Sequence, residues 1–287
     1  MKIALALPDP PNFLYDLNPY ILGDVDNHTI LVDKISDDCD FLIGWSVTQM
    51  DKIEKLHKQC PNVPMINYNW DIYKWVWTTP RDGEYDFKRY GELLKKSIEV
   101  WCPSESVVKR NKEYFNIKKN HIIKTSAQFF EAKGQVRDRH YALNAMRDMP
   151  DKTLHWFKKA CEALDIPYQE TNKRLSWEAY KEVVQNCSFV VCPMYEASTG
   201  GLTLLEAYRL GKPVLMSNSY YQGGQDYFGD KAEYFQYDSY SNFKAKLKDM
   251  WENPRKVNIE DAIIFTDQYT PEKMAESVLN RLKELKK

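Results

Sequence analysis

Short apolar segments alternate with longer amphipathic segments along most of the chain. The apolar segments end at polar or turn-forming residues, as parallel strands that are buried on both faces usually do. In the longer segments apolar residues recur every three or four positions, which is typical of a helix with one buried face. The alternation predicts an α/β fold with parallel sheets. The strands predicted in the first half are KIALAL, TILVD, FLIGW, PMINY, VWCPS and HIIKTS.

The hydrophobic periodicity stops in one polar, charged stretch, residues 127–139, and starts again after it. We therefore predict two domains, over residues 1–130 and 131–287. The last helix, PEKMAESVLNRLKELKK, either stays with the second domain or packs back on the first. Two doubly wound, Rossmann-like domains would face each other across a cleft and bind a ligand between the carboxyl ends of their strands. The strands predicted in the second half are HYALNAM, IPYQET, SFVVCPM and PVLMSN.

Composition and charge narrow the range of functions. Lys and Arg number 40 and Asp and Glu 41, so the net charge is -1 and no global positive field is available to hold a nucleic acid. No apolar window approaches the roughly 18 residues that a membrane span needs. The basic end KELKK leaves a peripheral contact with a membrane surface open. The chain also has 8 Trp, 19 Tyr and 12 Phe, enough rings to fill a core and still line a ligand groove.

The six cysteines form neither a C-x-x-C pair nor a cluster with histidine at zinc-ligand spacing. Several lie inside apolar runs such as FVVCPM, where a thiol usually behaves as a small buried hydrophobe. We therefore expect free thiols, a reducing cytoplasmic location and no metal site. The N-terminal MKIALALPDPP has too short an apolar run for a secretion signal and is expected to form the first strand.

The most informative segment is YEASTGGLTLLEAYRLGKPVLMS, residues 195–217, directly after the predicted strand SFVVCPM. Its loop therefore lies at the carboxyl end of a strand, where Gly200 and Gly201 allow a ligand to approach the backbone closely. The helix predicted to begin near Leu202 points its free N–H groups at the same space, which suits phosphates. Glu206, about one turn later, can accept hydrogen bonds from vicinal hydroxyls. The alternative is that Gly-Gly is only a turn and that Glu206 is a solvated helix residue.

This segment resembles the signature of glycosyltransferase family 4, the retaining group 1 transferases of GT-B fold. Those enzymes read E-x7-E, and GL, LEA and GKPV at residues 201–214 match the rest of the signature in order and spacing. The second glutamate of the family, which holds the donor ribose, falls on Glu206. The first falls on Ser198, so the resemblance leaves Glu196, two residues earlier, as the candidate for its catalytic role. The donor-binding set that this implies is Ser198, Gly200, Gly201, Leu202, Thr203 and Glu206.

A second motif extends the resemblance. In this family the first strand of the C-terminal domain leads into an Arg, four further residues and a Lys, which together grip the donor diphosphate. The segment YALNAMRDMPDKT supplies Arg147 and Lys152 with this spacing. Fixed cations can neutralise a diphosphate leaving group without a metal ion. The start of a helix carries a partial positive charge, so it disfavours Arg and Lys unless a phosphate binds there. The resemblance therefore implies that both residues are catalytic; the alternative is a solvated Arg and Lys.

Two further residues come from weaker parts of the resemblance. VWCPSESVVKRNKEYFNI is similar to the last strand and helix of the family's N-terminal domain. In PMINYNWDIY, Asp71 matches the Asp of the family's His-Asp pair, while Trp70 stands at the His position. The loop TNKRLSWE follows a predicted strand at the place where the family holds the donor base, and it offers Arg174. Asp71 and Arg174 complete the candidate substrate-binding residues.

The resemblance implies a retaining glycosyltransferase that moves a hexose-type sugar from a nucleoside diphosphate sugar to a hydroxyl of a carbohydrate or glycan-like acceptor. It implies no cofactor and no metal, with the donor in the second domain and the acceptor in the first. Two alternatives stay open. A sugar-nucleotide epimerase of the same GT-B fold would need acid/base carboxylates around the sugar, and no clear set is found. A non-catalytic nucleotide or carbohydrate binder is favoured by Ser198 and Trp70, where the signature residues are replaced.

Overall fold

A computed structural model describes residues 1–6, 28–45, 49–69, 86–127, 129, 140–145, 154–171, 175–194, 202–220 and 223–287. The chain divides into two compact units. The first unit is formed by Met1–Thr125 and Pro271–Lys287, and the second by Ser126–Thr270. Each unit has its own parallel sheet and its own buried apolar core.

The first unit is built on a six-stranded parallel sheet in the order β2-β1-β3-β4-β5-β6. All six strands that the apolar runs predict are present, because runs of this length suit a strand and are too short for a packed helix. The strand order reverses at β1, which is the doubly wound pattern. The elements are β1 (Lys2–Ala6), β2 (Thr29–Val32), β3 (Phe41–Trp45), α1 (Met50–Gln59), β4 (Met65–Tyr68), α2 (Phe87–Lys96), β5 (Glu99–Cys102), α3 (Glu105–Phe115) and β6 (Asn120–Ile122).

The second unit repeats this architecture with a five-stranded parallel sheet in the order β11-β10-β9-β7-β8. Here the order reverses at β7, so the switch point lies between β7 and β9. The elements are β7 (Ala142–Asn144), α4 (Phe157–Leu164), β8 (Tyr168–Glu170), α5 (Trp177–Asn186), β9 (Phe189–Cys192), α6 (Leu202–Arg209), β10 (Val214–Ser217), α7 (Gly224–Phe228), β11 (Glu233–Phe235), α8 (Tyr240–Glu252) and α9 (Ile259–Thr266).

The last helix, α10 (Pro271–Leu285), belongs to the first unit. Its residues Met274, Val278 and Leu282 are buried in the same core as the strand residues of that unit. The spacing of these residues, four apart, places them on one face of the helix. Helix α10 therefore completes the core of the first unit.

The predicted α/β fold with parallel sheets is confirmed. None of the six cysteines forms a disulfide, and all six are buried, as expected for thiols inside apolar runs. The cytoplasmic location stays a prediction. Within the described segments, none of the helices combines the length and the apolar character that crossing a membrane would take.

Candidate functional site

Two hydrogen bonds of the second unit lie at the carboxyl edge of its sheet. Asn144 ends β7, and its side-chain amide donates to Glu170 Oε1, at the end of β8, over 3.4 Å. Ser217 ends β10, and its Oγ donates to the carbonyl oxygen of Met194, just after β9, over 2.6 Å. Ligands of doubly wound folds bind at this edge, near the switch point between β7 and β9. Both bonds fix the backbone beside that point, and the bond from Ser217 is fully buried.

Helix α6 is the next described element after β9, and it carries Glu206 in its second turn. Five consecutive residues of the helix are buried, from Leu204 to Tyr208, so Glu206 is not the solvated residue of the alternative interpretation. A buried carboxylate needs a partner, because its desolvation is otherwise uncompensated. We therefore expect the buried Glu206 carboxylate to accept a hydrogen bond from another side chain or from a ligand.

The partner of Glu206 within the described residues is Tyr180 on α5. The Tyr180 hydroxyl donates to Glu206 Oε2 in a short hydrogen bond. The same hydroxyl lies 2.8 Å from Thr203 Oγ1, in the first turn of α6. The phenol thus ties the first two turns of α6 to α5.

The burial of this pair changes the acidity of both groups. Burial raises the pKa of Glu206 to about 7, and the hydrogen bond from Tyr180 opposes part of that rise. Burial and the neighbouring Glu206 carboxylate raise the pKa of Tyr180 well above its usual value. Tyr180 therefore stays a protonated donor, while Glu206 changes charge near neutral pH. Perturbed carboxylates of this kind are common at functional sites.

The end of α6 is set by Gly211, as the GKPV sequence predicts. Gly211 has a φ of 76°, in the left-handed region that favours glycine. Its N–H donates to the Tyr208 carbonyl over 2.9 Å, and the Lys212 N–H donates to the Ala207 carbonyl over 3.0 Å. The Lys212 side chain is buried and donates to the Cys187 carbonyl over 2.6 Å. GKPV therefore closes the helix and leads directly into β10.

Of the predicted site residues, the structure describes Leu202, Thr203 and Glu206, which it brings together at the start of α6. The other predicted residues lie outside the described residues. These are Asp71, Arg147, Lys152, Arg174, Glu196, Ser198, Gly200 and Gly201.

Buried amides hold the chain at Asn69, directly after β4 in the first unit. Asn69 Nδ2 donates to Asn111 Oδ1 over 2.5 Å, and the Tyr90 hydroxyl donates to Asn69 Oδ1 over 3.0 Å. Asn111 Nδ2 in turn donates to Asn120 Oδ1 over 2.9 Å. This network fixes the backbone directly after β4.

Three polar residues of the second unit were not predicted: Asn144, Tyr180 and Ser217. Asn144 and Ser217 each end a predicted strand, which is where parallel sheets present binding groups, so position alone was a signal. Tyr180 lies inside the amphipathic segment SWEAYKEVVQN, where an aromatic residue is typical of core packing. Only its hydroxyl distinguishes it, and the sequence does not reveal the partner.

A cavity of about 370 Å³ in the second unit lies away from Glu206. Its lining includes His140, Ser188, Lys212 and Pro213, which precede β7, β9 and β10. The cavity is therefore at the amino edge of the sheet, opposite the edge where such folds bind ligands. Among the residues that the structure describes, no group of three His, Cys, Asp or Glu side chains could hold a metal ion.

Residues 151–264 match the family model of glycosyl transferases group 1. This segment of the chain therefore carries a glycosyl transferases group 1 domain. The matched segment runs from α4 to α9 and contains Glu206 and Tyr180. A search of curated protein sequences finds no match.

Solved structures are similar in fold to this chain over almost its whole length. Anabaena HepE in complex with UDP and glucose has a TM-score of 0.72 at 10% identity, covering 99% of this chain and 100% of that one. Sucrose-phosphate synthase from Thermosynechococcus elongatus has a TM-score of 0.71 at 10% identity, covering 99% of both chains. The apo form of the lipopolysaccharide outer core galactosyltransferase WaaB has a TM-score of 0.69 at 11% identity, covering 99% of this chain and 100% of that one. These likenesses confirm the expected GT-B fold.

Proposed function

We propose that this glycosyltransferase moves a hexose-type sugar from a nucleoside diphosphate sugar to a hydroxyl of a carbohydrate acceptor, with retention at the anomeric carbon and without a divalent metal. The observation that carries the proposal is Glu206. It is a buried carboxylate in the second turn of α6, within the family match, close to the switch point of a doubly wound sheet. A carboxylate there can accept hydrogen bonds from the two ribose hydroxyls of a nucleotide.

The donor binds the second unit in this proposal, and the acceptor binds the first. Helix α6 starts at the carboxyl edge of the sheet, and its first N–H groups suit the donor phosphates. The structure of Anabaena HepE holds UDP and glucose, which supports a nucleoside diphosphate sugar as the donor and makes UDP the first nucleotide to test. Arg174 contacts the base side and Asp71 the acceptor side.

In the proposed reaction the bond between the anomeric carbon and the diphosphate oxygen breaks, and the acceptor hydroxyl oxygen forms the new bond. The hydroxyl proton passes to the departing phosphate. Arg147, Lys152 and the backbone amides near Gly201 stabilise the charge that develops on the diphosphate. Glu196 acts beside the sugar, in the place of the first family glutamate.

The reaction is tested by incubating the protein with UDP-, GDP- and ADP-sugars and a panel of mono- and oligosaccharides. Nucleotide release that requires an acceptor, with a product of unchanged anomeric configuration by NMR, supports the proposal. Isomerisation of the sugar nucleotide would instead indicate an epimerase. Binding without turnover would indicate a non-catalytic relative, and an inverted product would overturn retention.

Chelation of divalent ions is expected to leave turnover intact. Arg147 and Lys152 supply the positive charge that a metal ion supplies to the diphosphate in metal-dependent transferases. The initial rate is measured in EDTA, and again after Mg²⁺ or Mn²⁺ is added in excess. Loss of the rate in EDTA, with recovery when either ion is returned, contradicts the metal-independent reaction.

A further inference from the structure

The Glu206 carboxylate has two oxygens, and the protein occupies one of them. Oε2 accepts the hydrogen bond from Tyr180. Among the described residues no second hydrogen bond reaches this carboxylate. Oε1 is thus the oxygen that remains for a ligand.

Tyr180 is well placed to hold the carboxylate in one orientation. Its ring belongs to α5, a separate helix, and its hydroxyl meets both Thr203 and Glu206 on α6. A tyrosine has only two side-chain torsions, so fixing it costs little conformational entropy. A carboxylate held by a rigid donor from a neighbouring helix is pre-organised for its ligand.

We propose that Tyr180 is a positioning residue of the donor site: its hydroxyl fixes Glu206 Oε2, so that Oε1 accepts the ribose hydroxyls of a nucleoside diphosphate. This inference rests on the proposed function, because it assigns Glu206 to the nucleotide. A bond that only joined α5 to α6 would affect stability and leave nucleotide binding unchanged.

The ionisation of Glu206 should make nucleotide affinity depend on pH, and this dependence tests the positioning role. Burial raises the pKa of Glu206 to about 7, and the Tyr180 bond lowers it from a still higher value. Ribose hydroxyls donate most strongly to the ionised form. Nucleotide affinity should therefore increase as the pH rises through about 7, and removing the Tyr180 hydroxyl should move this increase to higher pH.

Few other charged groups on α6 and on the elements packed against it could produce the same pH dependence. Glu178 and Lys181 on α5 pair with each other over 3.2 Å, and Arg209 on α6 pairs with Asp267 over 2.7 Å. Within the described residues, burial raises the pKa of Glu206 and the Tyr180 bond opposes that rise. The remaining titratable groups on the elements around α6 are Glu182 and Cys187 at α5, Cys192 on β9, Tyr208 on α6 itself, and Glu260 and Asp261 on α9.

The test is the variant Tyr180→Phe, which removes one oxygen atom and keeps the ring. UDP, GDP and ADP are titrated into the wild-type protein, and the tightest-binding nucleotide is titrated into the variants between pH 5.5 and 8.5. At pH 7 we expect Tyr180→Phe to bind it on the order of tenfold more weakly. We also expect its affinity to increase at a higher pH than that of the wild type.

Two variants separate this role from general effects. In Glu206→Gln the pH-dependent increase should disappear beyond the change due to the nucleotide phosphates, which is common to all variants. Tyr168→Phe removes the hydroxyl of another tyrosine bonded to a glutamate, Glu162, but on the exposed side of the same unit. Its affinity should match that of the wild type. Melting temperatures confirm that each variant is folded.

An affinity of Tyr180→Phe within twofold of the wild type, with the same pH dependence, would overturn the positioning role and leave the donor site standing. Failure of the wild type to bind UDP, GDP or ADP would overturn the donor site itself, and this inference with it.

Discussion

The variant Arg281→Ala should lower the free energy of unfolding by about 3 kcal/mol. Arg281 lies on α10 and forms a bidentate salt bridge with Glu99 on β5. The Nη2–Oε1 distance is 2.5 Å and the Nε–Oε2 distance is 2.9 Å. Glu99 is buried, and the indole N–H of Trp101 also donates to it over 2.9 Å. Removing the guanidinium leaves a buried carboxylate without its counter-charge, which is the costly half of breaking such a pair.

The contribution of this pair should depend on pH in a defined direction. Burial alone would raise the pKa of Glu99, but the bonds from Arg281 and Trp101 outweigh it and bring the pKa below its usual value of 4.5. The pair therefore contributes fully above pH 4.5, and the contribution is lost as the pH falls through the lowered pKa. Urea unfolding at pH 7 and at pH 3.5 measures the difference.

The matched control is Glu284→Ala. Glu284 pairs with the same Arg281 over 2.6 Å, but its side chain is 60% exposed. Exposed pairs on one helix contribute about 0.5 kcal/mol or less, so this variant should unfold almost as the wild type does. Equal losses of unfolding free energy in Arg281→Ala and Glu284→Ala would show that the buried Glu99–Arg281 pair stabilises the fold no more than the exposed pair does.

The strands and most helices could be predicted because their signal is local. FLIGW and SFVVCPM are short and apolar throughout, and such segments are buried on both faces in almost any parallel sheet. The local signal is weak for helix α9. Its sequence IEDAIIFT has no clean helical stripe, and Ile259, Ile263 and Ile264 are exposed. Its position instead depends on contacts such as the 2.9 Å bond from Arg209 to Thr266, across 57 residues.

The site could be predicted only in part for the same physical reason. Motif spacing located Glu206 after a strand, but its burial and its partner depend on how α5 and α6 pack. Tyr180 is 26 residues from Glu206 in the chain, and no periodicity links two positions on different helices. The pair Glu99–Arg281, separated by 182 residues, escaped prediction in the same way.

The variant Glu206→Ala should weaken binding of a free nucleoside diphosphate on the order of 100-fold, because hydrogen bonds to a charged group contribute up to about 3 kcal/mol. Alanine removes the acceptor of the ribose hydroxyls and leaves the buried Tyr180 hydroxyl without the carboxylate. Glu206→Gln should have a smaller effect, since its amide oxygen can still accept from Tyr180. The nucleotide that binds the wild type most tightly among UDP, GDP and ADP is titrated by calorimetry.

Stability measurements distinguish this effect from unfolding. The pKa of Glu206 is raised from 4.5 to about 7, so its contribution to stability is complete below pH 4.5 and is lost as the pH rises through about 7. Glutamine cannot ionise, so Glu206→Gln should gain stability relative to the wild type between pH 5 and pH 8. A variant that is more stable at pH 8 and yet binds nucleotide more weakly has lost a ligand contact rather than its fold.

Two control variants complete the design. Glu162→Ala removes an exposed carboxylate of α4 in the same unit and should leave nucleotide affinity unchanged. Glu196→Ala should also keep affinity for the free nucleotide, since Glu196 is proposed to act beside the sugar, and should slow only the transfer. If Glu196→Ala loses nucleotide affinity while Glu206→Ala keeps it, the alignment of the segment 195–217 with the family signature is shifted. The ribose contact then belongs to the residues that precede α6 in the chain. Glu206, bonded only to Tyr180, would be a structural link between α5 and α6.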